Sequence, residues 1–172
     1  GNTTFSFDSL FDGTYTCVLT LGTGTATTSA TTTAFTIDTT VAAPTATFPA
    51  VNAFNQTAVT LTGGGEAFAV LSYSITDATT TIAGTTTVTA LGGWSVTLNL
   101  STLLDGVLTG TFFQTDLAGN VSTSTTVFST KDTTSPVLTI ITQVPALTND
   151  STPPITVNAT QAGTLSIAGG CL

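Results

Sequence analysis

The chain has 172 residues, 41% of them hydrophobic and only 6% charged, with Lys131 as the single basic residue against nine acids and a formal net charge of -8. A surface with one cation cannot follow a run of phosphates, which excludes nucleic acid as a partner. No segment is basic and amphipathic, no apolar run reaches the roughly eighteen residues of a membrane span, and no leader pattern opens the chain, so it reads as a mature soluble segment without membrane insertion.

Threonine takes the place of the missing charge and supplies roughly a quarter of the residues. Its branched, hydroxylated side chain suits the wet face of a pleated sheet better than a helix, so an all-β fold is expected. In chain order, Asp12 Gly13 is a turn signal before a strand that carries Cys17. Val59 Thr60 Leu61 Thr62 reads as a strand, Gly63 Gly64 Gly65 as a turn, and Phe68 to Ile75 as the partner strand of a hairpin. Asp77 opens a Thr-rich turn, and Thr86 to Thr89 reads as a short strand ahead of Gly92 Gly93. Trp94, Val96, Leu98 and Leu100 alternate with Ser95, Thr97, Asn99 and Ser101, which predicts a strand with one buried face and one wet face. Leu103 Leu104 Asp105 Gly106 makes a corner before a strand from Val107 to Thr115. Asp116 to Asn120 is then a turn whose Gly and Asn tolerate left-handed positions, and Val121 to Thr130 is the closing strand. About six or seven short strands at this spacing argue for a β-sandwich.

The chain also repeats itself. Leu10 Phe11 Asp12 Gly13 returns as Leu103 Leu104 Asp105 Gly106, and Asp38 Thr39 Thr40 as Asp132 Thr133 Thr134, a period of about 93 residues. The domain expectation is one complete unit at 41–134, flanked by the C-terminal half of a unit at 1–40 and the N-terminal half of another at 135–172.

Trp94 Ser95 Val96, Leu103 Leu104 Asp105 Gly106, Asp116 Leu117 Ala118 Gly119 Asn120 Val121 Ser122 and Asp132 Thr133 Thr134 Ser135 Pro136 together resemble the bacterial immunoglobulin-like tandem repeats of large surface adhesins and extracellular fibres. The ends resemble a sister type, through Thr148 Asn149 Asp150 Ser151 Thr152 Pro153 and Gly169 Gly170 Cys171 on one side and Asp12 Gly13 Thr14 Tyr15 Thr16 Cys17 on the other. The resemblance implies immunoglobulin-like Greek-key sandwiches at the cell surface. That sister type usually holds both cysteines in one domain, whereas here Cys17 and Cys171 stand in different halves. A bridge from Cys171 of one copy to Cys17 of the next suits complementary halves; an intrachain bridge and free thiols stay open.

Chemistry is sparse. The chain has no histidine, and its one lysine stands beside Asp132, so the usual bases and nucleophile partners of an enzyme are missing and none is expected. Asp38, Asp77, Asp116 and Asp132 fall at loops that similar repeats place near their ends, where calcium could bind. No Asp-x-Asp cluster supports that, and each also reads as a plain turn residue. No other cofactor is indicated. Asn2, Asn55, Asn99, Asn120, Asn149 and Asn158 each precede x-Ser or x-Thr, the pattern of a glycosylation acceptor, although Ser and Thr are common enough for chance to supply it. Trp94 and Tyr73 read as core residues, with a sugar-stacking platform as the alternative.

The expectation for function is a structural subunit of an extracellular fibre or adhesin stalk, with neighbouring copies of itself as partners, joined end to end by shared sandwiches or as one continuous chain. The alternative is an adhesin module whose loops bind a glycan or receptor. Loops of Gly, Thr and Ala speak against it, because binding loops favour Tyr, Trp, Arg and Asn.

Overall fold

The computed structural model describes residues 4–169, which form thirteen strands and no helix. Threonine and the short alternating runs leave nothing with helical periodicity, so the all-β expectation holds. The chain divides into two compact units, with the boundary between Asp132 and Thr133.

In the first unit, β1 (Gly13–Tyr15) pairs antiparallel with β4 (Phe35–Ile37), and β2 (Val18–Thr23) with β3 (Ala26–Thr31). Gly24 takes φ 65° in the tight β2–β3 turn, a conformation other residues resist. Every residue of β2 and β3 is exposed, including Val18, Leu19 and Leu21.

The same unit contains one closed sandwich. Its larger sheet has the order β5-β11-β10-β7-β8, from β5 (Val51–Asn52), β7 (Val70–Thr76), β8 (Thr81–Thr87), β10 (Gly106–Thr115) and β11 (Thr125–Asp132). The smaller pairs β6 (Val59–Gly64) with β9 (Gly93–Leu98). Val59, Leu61, Leu71, Ile75, Val88, Trp94, Leu98, Leu100, Leu108 and Phe112 fill the space between them. The alternation expected along Trp94 to Ser101 is observed, and Trp94 is 4% exposed, tilted against Phe112 with ring centroids 5.4 Å apart. At that depth it cannot stack on a sugar. Tyr73 also packs against the core.

One expected pairing is wrong. β6 does not form a hairpin with β7; it pairs with β9 in the other sheet, while β7 lies between β8 and β10. Gly63 is small because of a close approach: a Cβ there would lie 1.9 Å from the Thr45 carbonyl oxygen and 2.6 Å from the Trp94 ring. The strand expected at Thr86 to Thr89 is the longer β8, and the closing strand starts at Thr125 rather than Val121.

The second unit holds a short sheet of β12 (Leu138–Thr142) and β13 (Thr156–Ala159), antiparallel, with a register shift between Ile140 and Thr142. Leu138, Ile140, Ile141, Ile155, Leu165 and Ile167 are all exposed. Beside the sheet, an open apolar hollow is lined by Leu138, Ile140, Val144, Ile155, Val157 and Ile167.

Candidate functional site

β10 ends at Thr115 and delivers Asp116 into a turn closed by the Asn120 carbonyl, which accepts the Asp116 N–H at 3.1 Å. Gly119 supplies the positive φ of 96° that this turn needs. Asn120 donates its backbone N–H to Asp116 Oδ1 and its side-chain amide to Asp116 Oδ2, both at 2.8 Å. The same amide donates to the Asp38 carbonyl at 3.0 Å, which ties the segment before the sandwich to the turn after β10.

Glu66 arrives from the loop after β6, where its N–H donates to Gln114 Oε1 at 3.0 Å. Gln114 is almost fully buried, and a Cβ at Gly65 would sit 2.3 Å from its Oε1, so only glycine lets the loop come this close. The other end of the Gln114 amide donates to the Ala42 carbonyl at 2.8 Å.

These contacts bring Asp38, Glu66 and Asp116 together, with one carboxylate oxygen from each within 4.8 Å of the others. Asp116 is buried and Asp38 half-buried. Burial, then the Asp116 and Asp38 charges, push the Glu66 carboxyl above its ordinary value. Burial acts the same way on Asp116, but the donors of Asn120, Gly119 and Ala118 outweigh it and hold that carboxyl below its ordinary value. No lysine balances the cluster, since Lys131 lies at the opposite end of the strands with its ammonium on the carbonyls of Leu100, Ser101 and Leu103. Three clustered carboxylates with neighbouring carbonyls form a hard-oxygen donor set suited to a divalent cation.

Of the four aspartates expected near loop ends, Asp38 and Asp116 meet, while Asp77 and Asp132 lie at the other end of the sandwich. Asp77 serves its own turn: it accepts the N–H groups of Thr79, Thr80 and Leu104, and these donors hold its carboxyl far below the usual carboxylate range. Sequence reasoning missed Glu66. Its signal was slight, the only glutamate of the chain placed directly after three glycines.

Cys17 is half-buried and has no bridge among the described residues, and Cys171 lies outside them. Among the sequons, Asn2 is also outside them, and the amides of Asn55 and Asn120 are committed to hydrogen bonds within the fold. Asn99, Asn149 and Asn158 are exposed.

A family model described as bacterial Ig domain matches residues 43–132, the segment that forms the sandwich. Among solved structures, the chain is similar to a tetra-tandem repeat in the extending region of a large adhesion protein, with 21% identity and TM-score 0.52 over 88% of this chain and 46% of that one. A second likeness, with 21% identity and TM-score 0.35 over 60% of this chain and 37% of that one, is to a structure concerned with host cell surface retention of a 1.5-MDa bacterial ice-binding adhesin. The chain spans less than half the length of either. Comparison with curated proteins gives no match.

Proposed function

The chain belongs to the bacterial Ig domain family, and from that premise we propose that it is a structural link of a large bacterial surface adhesin or fibre, joined to identical or similar links at both ends. The observation that carries this reading is a pair of open two-stranded sheets, one before and one after the closed core in chain order. β2–β3 exposes Val18, Leu19 and Leu21, and β12–β13 exposes Leu138, Ile140 and Ile141. A two-stranded sheet is marginal alone, and its unpaired edges are sticky. In the repeat alignment one sheet belongs to the back half of a unit and the other to the front half, so each supplies what the other lacks. The occupant of each open face is therefore the complementary half of the neighbouring repeat, on another copy or further along one continuous chain. Such a joint is apolar and depends little on salt. The role is mechanical rather than catalytic, and the place is the cell surface.

Sedimentation of the isolated chain tests assembly from separate copies. End-to-end oligomers that grow with concentration and vanish in Ile140→Asp support it. A strictly monomeric chain rejects assembly from separate copies and leaves the continuous chain. Gel electrophoresis of the native assembly tests covalent joining through Cys17 and Cys171: a ladder that collapses on adding thiol marks bridged subunits, and one very large reduced species marks a single polypeptide.

A second reading concerns the joint between Asp38 and the sandwich. The convergence of Asp38, Glu66 and Asp116 favours calcium as the ion that stiffens it. Calorimetric titration with calcium chloride is expected to give saturable heat that Asp116→Asn abolishes; no heat with the unaltered chain rejects the reading.

A further inference from the structure

The turn that follows β9 is closed by an asparagine. β9 ends at Leu98, and the next residue, Asn99, accepts the Ser101 N–H on its Oδ1 at 3.0 Å, an Asx turn contained within the triplet Asn99 Leu100 Ser101. Leu100, in the middle, is fully buried and donates its N–H to the Gln56 carbonyl at 2.7 Å, and the Ser101 carbonyl accepts the Lys131 ammonium at 3.3 Å. The triplet is therefore pinned to the sandwich, while Asn99 and Ser101 themselves are exposed. Oδ1 is engaged by the turn, and Nδ2 makes no hydrogen bond among the described residues.

This is one of five Asn-x-Ser/Thr triplets among the described residues, and the fold separates it from the other four. The Asn55 amide donates to the Ala50 carbonyl at 2.9 Å, and its Oδ1 is held by the Asn52 N–H. Asn120 commits its amide to Asp116 and to the Asp38 carbonyl, and the Ser122 hydroxyl accepts from Gln114. Asn158 lies in the extended β13, where the Thr160 N–H donates to the Val137 carbonyl at 3.1 Å and so does not close a turn onto Asn158. At Asn149 the turn forms one residue later, with the Thr152 N–H on Asp150 Oδ1 at 2.8 Å.

We propose that Asn99 is the N-glycosylation site of the sandwich, an acceptor for a sugar delivered as a glycosyl diphosphate on a nucleoside or lipid carrier. In the transfer Nδ2 attacks the anomeric carbon of the sugar. The C–N bond forms, the bond from that carbon to the phosphate oxygen breaks, the diphosphate leaves with its carrier, and one amide proton passes to a base of the transferase. The product keeps the side-chain carbonyl, so the Ser101 N–H keeps its acceptor and the turn survives the modification. At Asn55 or Asn120 the sugar would displace a hydrogen bond that the fold uses. Ser101 also leaves exposed the hydroxyl that makes the triplet an acceptor. A sugar here adds hydration to a chain in which charged residues are only 6%. The assignment does not depend on how the ends of the chain are joined.

The test is mass spectrometry of the chain isolated from the cells that make it. After denaturation trypsin cuts behind Lys131 and separates the triplets at Asn55, Asn99 and Asn120 from those at Asn149 and Asn158. The expected result is added mass on the fragment ending at Lys131, placed on Asn99 by electron-transfer fragmentation: a single hexose from a nucleoside-borne donor, an oligosaccharide from a lipid-borne one. Asn99→Asp keeps an oxygen to close the turn but offers no amide, and Ser101→Ala keeps the N–H but lacks the hydroxyl. Both are expected to abolish the addition while the Trp94 emission of the folded chain is retained, and Ser101→Thr is expected to keep it. An unmodified Asn99 overturns the proposal, as does sugar that survives in Ser101→Ala. Occupancy at Asn99 no higher than at the other four triplets overturns it too, because the fold then does not select the site. Should the variants fail to fold, the occupancies measured on the unaltered chain decide.

Discussion

Lys131→Met probes the one cation of the chain where its removal has a worked cost. The side chain is 3% exposed, and its ammonium donates to the carbonyls of Leu100 at 3.0 Å, Ser101 at 3.3 Å and Leu103. Methionine keeps the stem and much of the volume but donates nothing, so three carbonyls at the turn after β9 lose the ammonium, and Leu100 alone keeps another donor, the Leu103 N–H at 3.2 Å. Hydrogen bonds to charged groups contribute about 1.5–3 kcal/mol each. The bonds share one donor, and removal also relieves the desolvation of the ammonium, which leaves a net loss of about 2–4 kcal/mol. For a domain of this size that lowers the thermal midpoint by roughly 10–25 °C. The assay is the emission of Trp94, the only tryptophan, which is buried in the core and reddens on unfolding. An unchanged or raised midpoint would show that desolvation outweighs the three bonds and that Lys131 does not anchor the sandwich.

Other outcomes follow from the same packing. Phe112→Ala empties a site of zero exposure against Trp94 and is expected to destabilise the sandwich by about 3–5 kcal/mol in chemical denaturation; a loss under about 1 kcal/mol would mean the two sheets collapse onto the void. Trypsin has one specific site, after Lys131, and because that residue is buried within β11 cleavage is expected to track global unfolding; rapid cutting far below the thermal midpoint would show that β11 opens locally. The thermal midpoint is expected to fall on both sides of mildly acidic pH. Glu66 has a raised folded value, so its contribution is present below the ordinary 4.5 and is lost as pH climbs through that raised value, and Glu66→Gln should flatten this limb. Asp77 and Asp116 have lowered folded values, so theirs is present above the ordinary 3.8 and is lost on further acidification.

How far the residues foretell the structure depends on the range of the interaction that decides each feature. The alternation from Trp94 to Leu100 and the turn made by Asp77 are local, and both read directly from neighbouring side chains. The partner of β6 is not local. Three glycines after Thr62 look like a hairpin turn, yet Gly63 is there to let the Thr45 carbonyl and the Trp94 ring approach, a fact visible only once distant segments meet. The late start of β11 has a similar cause, because the Ser122 hydroxyl accepts the Gln114 N–H in place of a backbone carbonyl and interrupts the ladder between the Thr115–Val121 bridge and Thr125. Asp38 and Asp116 could be suspected from their place in the repeat, but Glu66 joins them only through its contact with the buried Gln114.

Hydrogen exchange on two copies of the chain fused head to tail tests the central claim most directly, because the fusion makes one internal joint and keeps two open ends as its control. The account predicts that amides of β12–β13 in the first copy and of β2–β3 in the second become protected together at that joint, while the same strands at the outer ends continue to exchange rapidly. Equal, rapid exchange at the joint and at the outer ends would contradict it.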